Sequence, residues 1–227
     1  LDTHCFELFR HPSAVKDFHD RAEIDAIYPQ EVMDTIKRVT GADLVLSMGY
    51  LLRTSGDPAT RVILPPAADV HCDMSDKTAP LTARTVFEQL GPPGGTFRQF
   101  FISSYWRAFS PPPQDWPLAL CDFNTITHAE GVPNRLIFAE TRPDAAAMAA
   151  PLDNEAEMPA ATVFRYGGHH SWFYYPDMHR DEVILITLHD SHHSRAWFAA
   201  HTAFHDDTRA GAHTRESIEF RTIAYWL

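Results

Sequence analysis

Short runs of β-branched and aromatic residues, each closed off by Pro, Gly, Asn or Asp, set the narrowest limit on this fold. "DLVLSMGYLLR", "TRVILP", "TFRQFFISSYWRAF", "LALCDFNTI", "NRLIFAE", "TVFRYG", "SWFYYP", "DEVILITLHD" and "ESIEFRTIAYW" follow one another from residue 43 to residue 226. Such residues suit a pleated, half-buried surface, and many short strands separated by turns point to a sandwich or barrel. The first 40 residues read differently. "SAVKDFHDRAEIDAI" can begin a helix with Ser13 as N-cap, and "PQEVMDTIKRVTG" can run from Pro29 in a first turn to Gly41 as the stop. "RPDAAAMAAPLDNEAEMPAA", residues 142–161, is rich in Ala, Pro and acid and reads as a partly helical surface excursion. The expectation is a mainly β, jelly-roll (double-stranded β-helix, cupin-like) core over 42–227. A helical N-terminal segment, 1–41, packs on it, and 1–227 form one domain.

Composition narrows the function. With 227 residues, 44% of them hydrophobic, the chain can bury the core of one domain. A net charge of −11 repels phosphate backbones, which excludes nucleic acid as a partner. No apolar run approaches the roughly 18–20 residues that span a bilayer, so no membrane partner is expected. Cys5, Cys72 and Cys121 are far apart and without a CxxC, and they read as reduced thiols of a cytoplasmic protein. The first residues, "LDTHCFELFR", carry no signal-peptide pattern. Neither a heptad nor an apolar stripe marks an oligomer interface. Fourteen histidines are many for this length, and imidazole is the commonest metal-binding side chain.

"DVHCDMS", residues 69–75, puts His71 and Asp73 one residue apart. On an extended strand they share a face while Cys72 turns into the packing. That is half of a metal site. A third ligand has to come from further along, among His128, His169, His170, His179, His189, His192, His193, His201, His205 and His213. His201 stands out because "RESIEFRTIAYW" follows it. There Arg215, Ser217, Glu219 and Arg221 share one face of a strand. Two imidazoles and one carboxylate on one side of an iron ion leave the remaining positions open, as in non-haem Fe(II) oxygenases. A guanidinium beside a hydroxyl can then hold the remote carboxylate of 2-oxoglutarate by charge-assisted hydrogen bonds.

"VHCDMS", "WPLALCD", "SWFYYPDMHRDEVILITLHDS", "HTAFHD" and "RESIEFR", in this order, resemble a family of small natural-product oxygenases. It includes the fungal novofumigatonin endoperoxide synthase, the aspergillic-acid hydroxylase and proteins related to the cephalosporin 7-α-hydroxylase subunit. The similarity covers roughly residues 45–227. It implies a double-stranded β-helix, Fe(II), 2-oxoglutarate and dioxygen, with ascorbate helpful in vitro, and a small-molecule substrate. It also implies His71, Asp73 and His201 as iron ligands and catalytic residues, with Arg215 and Ser217 as the co-substrate anchor. The expected reaction begins with C–H abstraction on a secondary metabolite, amino-acid or peptide derived, and ends in hydroxylation, desaturation or ring formation.

Rival readings stand beside these. His205 competes with His201, since "HTAFH" as a helical turn would present both on one face. Arg221 competes with Arg215, or pairs with Glu219. "HDSHH", residues 189–193, reads as a solvated loop or pocket rim more than as a second metal cluster. Trp172, Tyr174 and Tyr175 read as core and pocket wall, and Cys72 and Cys121 as small buried hydrophobes. Substrate contacts are expected around residues 50–60, 97–110 and 142–175. Two other functions fit a jelly roll: a non-redox, cupin-like hydrolase or isomerase using zinc or manganese, and a non-catalytic binding module. The hydrolase has no need of a dicarboxylate anchor, and the module has no need of ordered metal-ligand motifs.

Overall fold

A computed structural model of the chain describes every residue except 58–62, 136–140, 142, 152–157 and 159. The strands are β1 (Phe6–Arg10), β2 (Leu44–Thr54), β3 (His71–Cys72), β4 (Gln99–Ala108), β5 (Leu118–Cys121), β6 (Gly131–Asn134), β7 (Ala161–Phe164), β8 (Trp172–Tyr174), β9 (Glu182–Asp190), β10 (His201–Ala203) and β11 (Glu216–Trp226). They form two antiparallel sheets, a larger one in the order β1-β9-β4-β11-β2 and a smaller one in the order β6-β7-β3-β10-β5-β8. The helices are α1 (Arg21–Thr40), α2 (Ala79–Leu90) and α3 (Ala145–Ala149). This is the expected jelly roll. Residues 60–62 of "TRVILP" and 136–140 of "NRLIFAE" lie outside the described residues, as does much of the 142–161 excursion, whose described part includes the short helix α3.

The larger sheet is buried on both faces, and its alternating side chains serve two cores. Ile102 and Trp106 of β4, Ile184 and Ile186 of β9 and Ile223 and Tyr225 of β11 face the smaller sheet, where they meet Leu118 and Leu120. The intervening Phe101, Tyr105, Val183, Leu185, Ile218 and Phe220 face outward against Ile24, Tyr28, Val32 and Ile36 of α1. Those helix residues recur every four positions and form one stripe. Ile24 is fully buried there, so Ile24→Ala should cost about 2–4 kcal/mol, read as a lowered urea midpoint at unchanged slope.

The N-terminal segment departs from expectation in two ways. There is one helix, not two, and it starts at Arg21 with Asp20 as N-cap, accepting from the backbone N–H groups of Ala22 and Glu23. Ser13 starts nothing, because its hydroxyl donates to Glu31 at 2.6 Å and the amides of Ala14, Lys16 and Asp17 donate to Glu31 and Glu23. These side-chain acceptors satisfy the backbone without a helix. Pro29 lies inside the helix, where it removes one backbone donor, and the buried Tyr28 and Val32 hold the helix across it. Gly41 ends it as expected, at φ 69°. The second departure is β1, which adds an edge strand to the larger sheet by pairing Phe6–Arg10 with β9.

Candidate metal centre

The smaller sheet brings two distant histidines face to face. β3 and β10 pair antiparallel with His71 directly opposite His201, and their rings lie 4.5 Å apart. Asp73 follows β3 by one residue. His71 Nε2 is 3.7 Å from one carboxylate oxygen, Oδ1, and His201 Nε2 is 3.7 Å from the other, Oδ2. Each imidazole is fixed from behind: His71 Nδ1 donates to the Asp69 carbonyl at 2.8 Å and His201 Nδ1 to that of Ala199 at 3.0 Å. With Nδ1 carrying the hydrogen, each Nε2 presents a lone pair toward Asp73. All three residues are drawn together; His205 is not. It lies exposed in the loop after β10, beside Trp116, because "HTAFH" begins as strand and never turns as a helix.

Asp73 has unequal oxygens. Oδ1 accepts from the Arg221 guanidinium at 2.9 Å, whereas Oδ2 is buried with no hydrogen-bond partner. Arg221 is held in turn by Glu219 at 2.6 Å, and Glu219 also faces Arg53 at 3.8 Å. Burial alone would raise the Asp73 carboxyl, but Arg221, His201 and His71 outweigh it and hold it well below the usual range. His201 is pushed down to about 4 by burial first and by His71 second. At neutral pH Asp73 is therefore a carboxylate and His201 a neutral imidazole.

His71 and His201 line a cavity between the sheets together with Arg215, Glu219, Trp106 and Ser104. Arg215 is 1% exposed, and its Nη1 donates to the Trp116 carbonyl at 2.9 Å. Its guanidinium lies over the Trp106 ring at 5.7 Å. Its Nε has no partner, and neither has the buried Ser217 hydroxyl two residues on. Burial, with Arg53 adding, brings Arg215 down to about 10, a cost that a bound anion would relieve. Arg221, its rival as an anchor, is committed to Asp73 and Glu219.

A family model described as "Oxidoreductase/YMDC permease-like domain" matches residues 1–225. The hydroxylase/desaturase CTB9 of Cercospora beticola is 30% identical over 246 residues, covering 100% of this chain and 72% of that protein. The Fe(II)/2-oxoglutarate-dependent dioxygenase NvfI of Aspergillus novofumigatus is 29% identical over 209 residues, covering 91% of this chain and 69% of that one. The chain belongs to this family of Fe(II)/2-oxoglutarate-dependent dioxygenases. A solved structure titled "iron and alpha-ketoglutarate-dependent endoperoxidase NvfI" shares the fold of this dioxygenase, with a TM-score of 0.81 at 24% identity over 100% of this chain and 80% of that one. Membership sets aside the hydrolase or isomerase and the binding module. Among the described residues no helix is long and apolar enough to cross a membrane.

Other expectations for the dioxygenase need correction. In "HDSHH", His189 and Asp190 are each 2% exposed, so this is no simple solvated loop. A β-bulge between β4 and β9 puts His189 opposite Ile102, and its Nε2 meets Asp76 at 3.1 Å. Trp172 and Tyr174 are 37% and 41% exposed, because β8 is an edge strand and not a pocket wall. Tyr175 does pack on the inner core. Two features escaped the sequence reading. One is the contact of Arg221 with Asp73, which only the pairing of sheets reveals. The other is Trp106, visible merely as one aromatic in an apolar run.

Proposed function

We propose that His71, Asp73 and His201 hold Fe(II), and that Arg215 and Ser217 bind the remote carboxylate of 2-oxoglutarate. The observation that carries this reading is the unpartnered, buried Oδ2 of Asp73 beside two imidazole Nε2 atoms whose Nδ1 hydrogens are already used. Such a set is costly empty and suits a divalent ion of intermediate softness. Bound iron, with 2-oxoglutarate and dioxygen, supplies the oxidising power to remove hydrogen from a substrate C–H bond, giving succinate and carbon dioxide. The chain's residues do the rest. Arg215 and Ser217 fix one end of the co-substrate, Trp106 stacks under the guanidinium, and the apolar walls from β4 and β9 keep water away. The substrate is a small secondary metabolite, amino-acid or peptide derived, reached through the inner face of β4. Hydroxylation, desaturation and ring formation are all open to this geometry. Residues 1–227 act as one domain, in the cytoplasm and without nucleic acid. The test is metal analysis followed by succinate release from 2-oxoglutarate with Fe(II) and ascorbate. Release without added iron, or none with it, would overturn the reading.

Arg221 acts in this reading as a positioning residue. By occupying Oδ1 it leaves Oδ2 for the metal. Arg221→Met should weaken Fe(II) about 10–100-fold, the usual effect of losing a group that supports a ligand, while the KM for 2-oxoglutarate holds. Anaerobic Fe(II) titration beside Arg221→Lys, which keeps a charge on Asp73, separates this from general damage.

A further inference from the structure

We propose that Glu130, His169 and His170 form a second divalent-metal site, suited to zinc, which clips together two crossovers on the outer face of the smaller sheet. Glu130 Oε1 lies 3.0 Å from His169 Nε2 and 3.1 Å from His170 Nε2, and the two rings are 4.6 Å apart. The three ligand atoms lie within 4.8 Å of one another. Around a tetrahedral zinc with bonds near 2.0–2.1 Å, such atoms sit about 3.4 Å apart, so a small outward movement of the rings admits the ion. The carboxylate is already prepared. Its other oxygen, Oε2, accepts from the Thr127 amide at 2.7 Å and the Thr127 hydroxyl at 2.8 Å, which aims Oε1 at the imidazoles. Those Thr127 hydrogen bonds hold the Glu130 carboxyl down to about 2, so it is ionised.

Local backbone supports the same arrangement. Both imidazoles fold back over Gly167, where a Cβ would stand 2.7 Å from His169 Cε1 and 2.7 Å from His170 Nε2. Any larger residue would push the rings apart. Topology gives the site a purpose. The chain from β5 to β6 crosses the smaller sheet in one direction, and the chain from β7 to β8 crosses it in the other. Glu130 ends the first crossover, and His169 and His170 lie in the second. Beneath the first, Ile126 and Phe123 pack on Cys72, Cys121 and Phe198, behind the strands that carry His71 and His201. An ion here ties the backing of the sheet together without touching the cavity.

A second triad, Asp76, His189 and His193, has comparable spacing but lacks this preparation. His189 Nδ1 is buried with no acceptor, whereas metal-ligating imidazoles almost always donate that hydrogen.

The test uses Zn2+ as the probe on the full chain, with bound zinc counted after gel filtration. His169 is largely exposed, so His169→Gln should fold. We expect it to bind one zinc fewer per chain than wild type. The same loss of one equivalent is expected on an Asp73→Ala background, and on a His201→Ala background should Asp73→Ala fold poorly. Zinc should also raise the Tm of Asp73→Ala and leave that of the double variant unmoved. Equal zinc content with and without His169 means that the cluster is only a hydrogen-bonded one, and overturns the proposal. The result does not depend on where iron binds, because the decisive quantity is the difference made by His169.

Discussion

Asp73→Ala is expected to abolish both stoichiometric Fe(II) binding and succinate production, while the chain remains folded. Among the described residues the carboxylate is the one anionic group at the junction of His71 and His201, and none of their other acids is placed to replace it: Glu219 is already engaged by Arg221 and Arg53. Fold survival has its own reason. Deleting Asp73 strands Arg221, but Glu219 at 2.6 Å keeps that guanidinium paired, so the usual penalty for an orphaned buried charge is largely avoided. Thermal unfolding beside anaerobic iron titration checks both halves. His201→Ala should behave alike, with His205→Ala as the control that keeps iron. Retention of iron and turnover by Asp73→Ala would sink the assignment of the metal centre.

Arg215→Ala should raise the KM for 2-oxoglutarate about a hundredfold, with iron affinity unchanged. The guanidinium has a single hydrogen bond to the protein from its side chain, to the Trp116 carbonyl, and no carboxylate partner among the described residues, so its remaining donors are available to a dicarboxylate. Two hydrogen bonds to a charged group contribute about 3 kcal/mol or more, which is roughly two powers of ten. Ser217→Ala removes a neutral donor and should cost less. If Arg221→Met moved this KM while Arg215→Ala left it alone, the anchor would lie at the other end of the strand.

The sequence disclosed what is local or strictly alternating. His71 and Asp73 are two residues apart, Arg215 and Ser217 likewise, and the long apolar strands carry their own β-branched signature. Signals were lost where a distant group does the work. Ser13 looks like a helix cap until Glu31 takes its hydroxyl, and two carboxylates from α1 then settle the segment before the helix. The stripe on α2 is Ala79, Ala83 and Phe87, too small a hydrophobic face to announce a helix. β1 is five residues long and is a strand because β9 leaves it an open edge. The Arg221–Asp73 pair joins the last strand to the third, a contact that no spacing rule encodes.

Cys72 sits between His71 and Asp73, which puts an oxidisable sulfur one residue from each proposed iron ligand. Alternation along β3 turns it away from the two proposed ligands, and it is buried with Cys121 and Phe198 and donates to the Leu188 carbonyl at 3.0 Å. Burial there pushes its thiol up to about 12. Oxidation by peroxide and metal capture both proceed through thiolate, and a thiol so buried supplies almost none near neutral pH. The same pleat that points the two proposed ligands at the cavity thus turns the sulfur between them away from it and keeps it a thiol, inert toward peroxide and stray metal alike.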